Sequence, residues 1–223
     1  VYLLDEPIAH LDARLKFSTQ TLLKEFAQEY KSTIIYVTHD YREALALSDN
    51  MIVLRNGSIV QEGPPEEIYN RPVSEFVGIT IGEPPMNIIK GEIETRGETV
   101  FFKAGSGDFE IPVREAFVKK AVETVDKVDG KSMVKVGIRC ENIKVGEEKL
   151  SDTAFQLPIY AVTHESEGDI VSFELSDDTF IYVRTGKRLI EYEIGKNIWL
   201  DFDQDNMFFY PVDEKSTEKR GSK

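Results

Sequence analysis

The chain has 223 residues, 41% of them apolar and 30% charged, with a formal net charge of −13 at pH 7; that is ordinary for a globular protein and long enough for one large or two small domains, each with a core. Uninterrupted apolar runs such as Val1–Leu4 and Phe180–Val183 fall far short of the ~18 residues of a membrane span. The excess of carboxylates repels phosphate backbones, which argues against sequence-independent nucleic-acid binding, and the lone Cys140 permits no internal disulfide, in keeping with a reducing compartment.

Val1-Tyr2-Leu3-Leu4, stopped by Asp5-Glu6-Pro7, is a short apolar run bounded by breakers and predicts a strand buried on both faces. A helix is expected from Asp12 to Tyr30, because Leu15, Leu22, Phe26 and Tyr30 fall on one stripe of a 3.6-residue period. Thr33–Thr38 is β-branched and aromatic, so strand, helix and strand together make a parallel unit with a right-handed crossover. Both strands then point the same way. Asp5-Glu6 and His39-Asp40 emerge at the carboxyl edge, where open α/β sheets place their ligands. Asp40 caps a further helix running to Leu47, with Glu43 three residues on at capping-box spacing. Met51–Leu54 and Ser58–Gln61 flank Asn56-Gly57, the signal of a tight hairpin. Pro64-Pro65 starts a short helix over Glu66–Tyr69, and Ser74–Val77 reads as another.

At Gly82-Glu83-Pro84-Pro85 the pattern changes to short strands at Ile88–Thr95, Thr99–Lys103, Ser132–Ile138, Ala154–Val162, Ile170–Leu175, Phe180–Val183, Asn197–Phe202 and Met207–Tyr210. Many short strands predict a small barrel or sandwich. Phe101, Phe102, Trp199, Phe208 and Phe209 lie in these strands and are read as core rather than as a stacking surface. Ser176-Asp177-Asp178 is a hairpin candidate, Gly130-Lys131-Ser132 a turn, and residues 213–223 a mobile polar tail. His10 and His164 read as loop histidines with no second ligand at metal spacing.

An apolar strand ending in two consecutive carboxylates suits phosphate chemistry: one can hold Mg²⁺, directly or through water, while the next polarises an attacking water. Asp5-Glu6 alone also fits an ordinary strand-to-loop stop, but Leu11-Asp12 follows within seven residues and the next parallel strand ends in Thr38-His39-Asp40. In order, Leu3-Leu4-Asp5-Glu6-Pro7, Ala9-His10-Leu11-Asp12 and Val37-Thr38-His39-Asp40 resemble the Walker B strand, D-loop and switch-histidine loop of the ATPase subunits of ABC transporters. The resemblance continues through Met51–Leu54, Asn56-Gly57, Gln61-Glu62-Gly63 and Glu67-Ile68-Tyr69-Asn70-Arg71-Pro72. It implies part of a P-loop NTPase α/β domain over residues 1–82. By that resemblance Asp5 helps to bind the Mg²⁺ of ATP, Glu6 acts as general base or orients the water, His39 contacts the γ-phosphate, and Asp12 shapes the interface of a homodimer. The family's D-loop usually starts with Ser where this chain has Ala9, which removes a hydroxyl contact across such a dimer. The family's glycine-rich phosphate loop and Leu-Ser-Gly-Gly-Gln signature precede the Walker B strand and do not occur in these 223 residues. The resemblance therefore implies the C-terminal part of a longer ATPase, inactive by itself.

Ile81-Gly82-Glu83-Pro84-Pro85-Met86-Asn87 and Val136-Gly137-Ile138-Arg139-Cys140-Glu141 resemble the domain junction and the Gly-Ile-Arg-Pro-Glu segment of the carbohydrate-importer branch, with Cys140 in place of Pro. That resemblance implies an all-β region over 83–212, built of small OB-type (TOBE-like) regulatory barrels. The function it implies is an energy-coupling ATPase subunit that drives solute uptake, with sugar as the solute. An importer of another solute (a polyamine, a phosphorylated polyol, a metal) and a non-catalytic regulatory or dimerisation module stand as alternatives. The implied partners are a second copy through the nucleotide domains, integral-membrane permease subunits and, indirectly, a solute-binding protein, with no nucleic acid, at the cytoplasmic face of the membrane.

Overall fold

The computed structural model describes residues 1–104, 109–166, 168–176, 179–186 and 193–213. Asp177 and Asp178 of the expected hairpin, and residues 214–223 of the expected tail, lie outside the described residues. The chain divides into two compact units, Val1–Gly82 and Glu83–Lys223.

In the first unit, β1 (Tyr2–Asp5) pairs in parallel with β2 (Ile34–Val37), Tyr2 opposite Ile34 and Asp5 opposite Val37. Helix α1 (Ala13–Glu29) connects them. Its N-cap is Asp12, whose carboxylate accepts from the amides of Arg14 and Leu15 at 3.0 and 3.1 Å, satisfying donors that a helix start leaves without partners. The helix meets β1 through Phe26, set edge-on to Tyr2 with centroids 5.2 Å apart. Burial departs from expectation: Tyr2 and Leu3 of β1, Leu15 and Leu22 of α1 and its C-cap residue Tyr30 are exposed, and α1 buries no residue completely. Periodicity set the conformation of these elements. Burial needs neighbouring strands and a facing layer as well, and among the described residues this sheet has only two strands.

Helix α2 (Tyr41–Leu47), the hairpin of β3 (Met51–Arg55) and β4 (Ser58–Gly63), α3 (Pro65–Asn70) and α4 (Glu75–Thr80) complete the unit. Asn56 and Gly57 both take positive φ, 52° and 78°, as a two-residue turn matched to strand twist demands. Met51, Val53, Ile68, Val77 and Ile81 pack beneath the hairpin as the unit's buried cluster.

In the second unit β5 (Asn87–Arg96), β6 (Thr99–Ala104) and β7 (Phe109–Val113) form an antiparallel meander. Helix α5 (Glu115–Thr124) follows, then β8 (Asp126–Val128) and β9 (Lys131–Ile138), and β9 returns to pair with β5. The turn at Asp129-Gly130 joins β8 to β9, so of Gly130-Lys131-Ser132 only Gly130 lies in the turn, and Lys131 and Ser132 begin β9. After a 3-10 turn at Cys140–Asn142 the chain enters β10 (Ile143–Gly146). A second meander comprises β11 (Phe155–Glu165), β12 (Gly168–Ser176) and β13 (Thr179–Thr185); β14 (Asn197–Phe202) pairs with β11, and a 3-10 turn at Gln204–Asn206 leads to β15 (Phe208–Tyr210). The region is therefore β-rich rather than all-β, because α5 interrupts it.

The two sheets exchange their last strands. One runs β15-β9-β5-β6-β7 and the other β10-β14-β11-β12-β13. Thus β10, which follows directly on β9, belongs to the second sheet, and β15, which follows β14, belongs to the first. Both sheets share one core in which Phe102, Ile111, Val134 and Phe209 meet Ile159, Phe173, Ile198 and Leu200. Phe102 and Phe209 are buried as expected, whereas Phe101, Trp199 and Phe208 are only partly covered. Among the described residues no helix is long and apolar enough to cross a membrane.

Candidate functional site

Parallel register brings the residues after β1 and β2 to one edge. The Glu6 amide donates to the Val37 carbonyl at 2.9 Å, continuing the ladder past Asp5, and Glu6 itself adopts a φ of 44°, a left-handed conformation uncommon for a residue with a side chain. That turn carries its carboxylate to His39, with Oε1 2.7 Å from Nδ1. Both side chains are open to solvent, Glu6 at 43% and His39 at 75% exposure. The hydrogen bond to Glu6, followed by the attraction of that carboxylate and of Asp40 and Glu43, holds the His39 imidazole above its ordinary pKa.

Asp5 lies exposed at the end of β1, beside the pair. Asp12 is taken up as the cap of α1. Sequence reasoning thus brought Asp5, Glu6 and His39 to one edge, and the structure pairs two of them directly. His10 is exposed in the loop after β1. His164 is a strand residue of β11 rather than a loop histidine, and its Nδ1 lies 2.7 Å from Asp169 Oδ1.

Glu43 was read as half of a capping box with Asp40, and the structure corrects this. Asp40 caps α2 by accepting from the Arg42 amide at 3.0 Å, but the Asp40 amide donates to the Thr38 hydroxyl at 3.0 Å. Glu43 turns inward instead, where Lys16 Nζ donates at 2.9 Å to Oε1 while the hydroxyls of Tyr36 and Thr38 donate at 2.9 and 3.0 Å to Oε2. Burial opposes its charge, but these three donors outweigh burial and hold its carboxyl below the ordinary value. Burial first, and the bond to Glu43 second, push the Tyr36 hydroxyl up. A signal for this cluster was present: Tyr36 and Thr38 are two apart and share the inner face of β2, opposite the exposed Val37 and His39.

Among the described residues no three His, Cys, Asp or Glu side chains converge as a metal site. Mg²⁺ is commonly held by one or two carboxylates together with phosphate and water oxygens. An exposed Asp5 beside Glu6 fits that partial donor set and nothing more complete.

No protein-family model matches the chain. Curated relatives match nearly all of it. It is 32% identical over 215 residues to the uncharacterized ABC transporter ATP-binding protein YurJ of Bacillus subtilis, covering 96% of this chain and 57% of YurJ. It is 36% identical over 177 residues to the sulfoquinovosyl glycerol transport ATP-binding protein SmoE of Agrobacterium fabrum, covering 79% of this chain and 46% of SmoE. Against the xylose/arabinose import ATP-binding protein XacK of Haloferax volcanii it is 32% identical over 214 residues, covering 94% of this chain and 52% of XacK. The chain spans about half the length of the curated relatives it matches. Among solved structures, the cytoplasmic molybdate-binding protein ModG aligns with 56% of this chain at a TM-score of 0.43 and 14% identity, covering 95% of the ModG chain.

Proposed function

We propose, from the premise that this chain is homologous to ABC transporter ATP-binding proteins with sugar importers among them, that it serves as the later part of the energy-coupling ATPase subunit of an importer, with a sugar as the solute. The observation that carries this reading is the Glu6–His39 pair, 2.7 Å apart at the carboxyl edge of two parallel strands. Phosphoryl transfer asks a protein mainly for positioning and electrostatic stabilisation, and the pair supplies a proton acceptor beside a group able to meet an anion.

In this reading Glu6 orients and polarises the attacking water. A carboxylate only accepts hydrogen bonds, so His39 presents Nδ1–H to Glu6, and when protonated it also carries a proton on Nε2 for a γ-phosphate oxygen. The raised pKa of His39 favours that protonated form. Asp5 would hold Mg²⁺, which supplies neutralisation of phosphate charge when bound. Asp12 would shape a dimer interface from its position at the start of α1. Leu3, Ile35 and Val37 around β1 and β2, and Leu15, Phe17 and Leu22 on α1, are exposed apolar side chains, the kind of surface that further strands of a longer nucleotide domain would cover. Residues 1–82 would then be the C-terminal part of that domain. The two strand-exchanged sheets of residues 83–212, of six and five strands, would be OB-type, TOBE-like regulatory barrels, and the subunit would act as a homodimer on permease subunits at the cytoplasmic face of the membrane.

The test is Glu6→Gln in a polypeptide of the relatives' length. Removing a group that handles the proton costs about 10²–10⁴-fold in rate, so ATP turnover should fall by at least about 100-fold while nucleotide binding persists. Unchanged turnover would remove Glu6 from the mechanism and leave the non-catalytic module as the better reading.

A further inference from the structure

We propose that Glu43 is the positioning residue of this site: it fixes the loop that carries His39 so that the imidazole meets Glu6. The proposal rests on the reading of Glu6 and His39 given above, and its geometry lies in Lys16, Tyr36, Thr38, Asp40 and Glu43.

Glu43 is 2% exposed, and a buried carboxylate is costly unless donors surround it. Its donors come from three elements of the unit. Lys16 belongs to α1, Tyr36 to β2, and Thr38 to the segment between β2 and α2. The Thr38 hydroxyl acts twice, donating to Glu43 and accepting the Asp40 amide. Lys16 also reaches Asp40 at 3.4 Å. The residues immediately before and after His39 are thereby tied to one buried carboxylate, Thr38 directly and Asp40 through Thr38 and Lys16. His39 itself lies on the outer side of the strand alternation, so the clamp restrains its backbone and leaves its ring free to work. A true capping box would have spent Glu43 on the Asp40 amide. Because Thr38 takes that amide, Glu43 can anchor the loop to α1.

The consequence can be read on the ring. Paired with a carboxylate through Nδ1, a neutral His39 must keep its proton on Nδ1. If the loop loosens, the ring leaves Glu6 and that constraint goes. The experiment is long-range ¹H–¹⁵N NMR of the histidine rings in this 223-residue chain at a pH where they are neutral, with His39→Gln assigning the His39 signal. Wild-type His39 should show the Nδ1–H tautomer. His164, held at 2.7 Å by Asp169 in the other unit, should show it too and serve as an unmoved reference. Glu43→Ala should lower the ratio of Nδ1–H to Nε2–H at His39 by at least tenfold and leave His164 unchanged. Thr38→Val keeps Lys16 and Tyr36 on Glu43 and should give a smaller shift of the same sign, which decides the matter if Glu43→Ala does not fold. Glu43→Gln, whose amide can accept from Lys16 and donate to the hydroxyl oxygens, should restore most of the signature. A folded Glu43→Ala or Thr38→Val chain with the wild-type His39 tautomer overturns the proposal even if its melting temperature falls, because that is the mark of a merely structural carboxylate. A wild-type His39 lacking the Nδ1–H form overturns it as well. If Glu6→Gln in the longer protein leaves hydrolysis intact while the tautomer still follows Glu43, the catalytic reading fails and the positioning role stands.

Discussion

Gln204 offers the sharpest test of the strand exchange. It is 1% exposed in the 3-10 turn that carries the chain from β14, in one sheet, to β15, in the other. There its side-chain amide donates to the Pro112 carbonyl at 2.9 Å and accepts the Arg114 amide at 2.8 Å, closing the end of β7. Gln204→Leu keeps the volume and removes both bonds. An unpaired buried polar group costs about 1–3 kcal/mol; since both backbone groups are only partly buried, water recovers some of that, and the expected loss is about 2 kcal/mol for the pair. At a urea dependence of about 2 kcal/mol per molar for a domain of this size, the unfolding midpoint should fall by about 1 M. Trp199 is the sole tryptophan and sits in β14 between Gly146 and Gln156, so its fluorescence reads the second sheet. Hydrogen exchange at the β6 amides reads the first. Because each sheet lacks a strand without the other, both probes should lose the same stability. A Trp199 midpoint within about 0.2 M of wild type, or an effect confined to β6 and β7, would refute the coupling.

The other two predictions concern titration. Burial, then the hydrogen bond to Glu141, pushes the Cys140 thiol up to about 12, so at pH 8 the folded chain should resist thiol reagents and react only after opening in denaturant; rapid labelling of the native chain would contradict the buried placement. The Glu94 carboxyl is pulled down to about 2 by hydrogen bonds from Arg96 and then Lys103. A depressed folded value means that its stabilising contribution is present above the ordinary value of 4.5 and is lost as pH falls toward 2. Lys103→Ala should raise the Glu94 midpoint in an NMR titration, and an unmoved midpoint would show that Lys103 has no part in holding it.

Most element types were legible because apolar spacing reports local conformation directly. The parallel crossover, the Asn56-Gly57 hairpin and the Pro-started helix α3 each rest on such a local cue. Four helices or strands of the second unit were missed for separate reasons, one of them β8, which is only three residues long. β7 contains Pro112, which argues against a central strand; it is tolerated because β7 is at the edge of its sheet. Helix α5 shows Phe117, Val118 and Ala121 at helical spacing, but its cap residue Arg114 makes no side-chain cap bond, so the usual start signal is missing. β10 is only four residues long. The exchange of β10 and β15 could not be read at all, since periodicity tells which conformation a segment takes and not which strand it joins.

The site shows the same division at the level of single residues. Asp5, Glu6 and His39 were found because two parallel strands must present their ends at one edge. Glu43 was misjudged because a polar residue in the first turn of a helix normally serves its own backbone, and only the tertiary arrangement placed Lys16, Tyr36 and Thr38 around it. Asn87 and Gln204 are alike in this respect. Asn87 is buried and bridges both the amide and the carbonyl of Tyr182, at 2.7 and 2.8 Å, as Gln204 bridges Pro112 and Arg114. In each case one buried polar side chain fastens backbone or loop segments distant in sequence, using bonds that burial makes expensive to lose. Apolar patterning therefore decides which elements form, while these few polar side chains decide how particular segments are held, and substitutions at them should disturb geometry at Glu6–His39 or β7 more than the content of secondary structure.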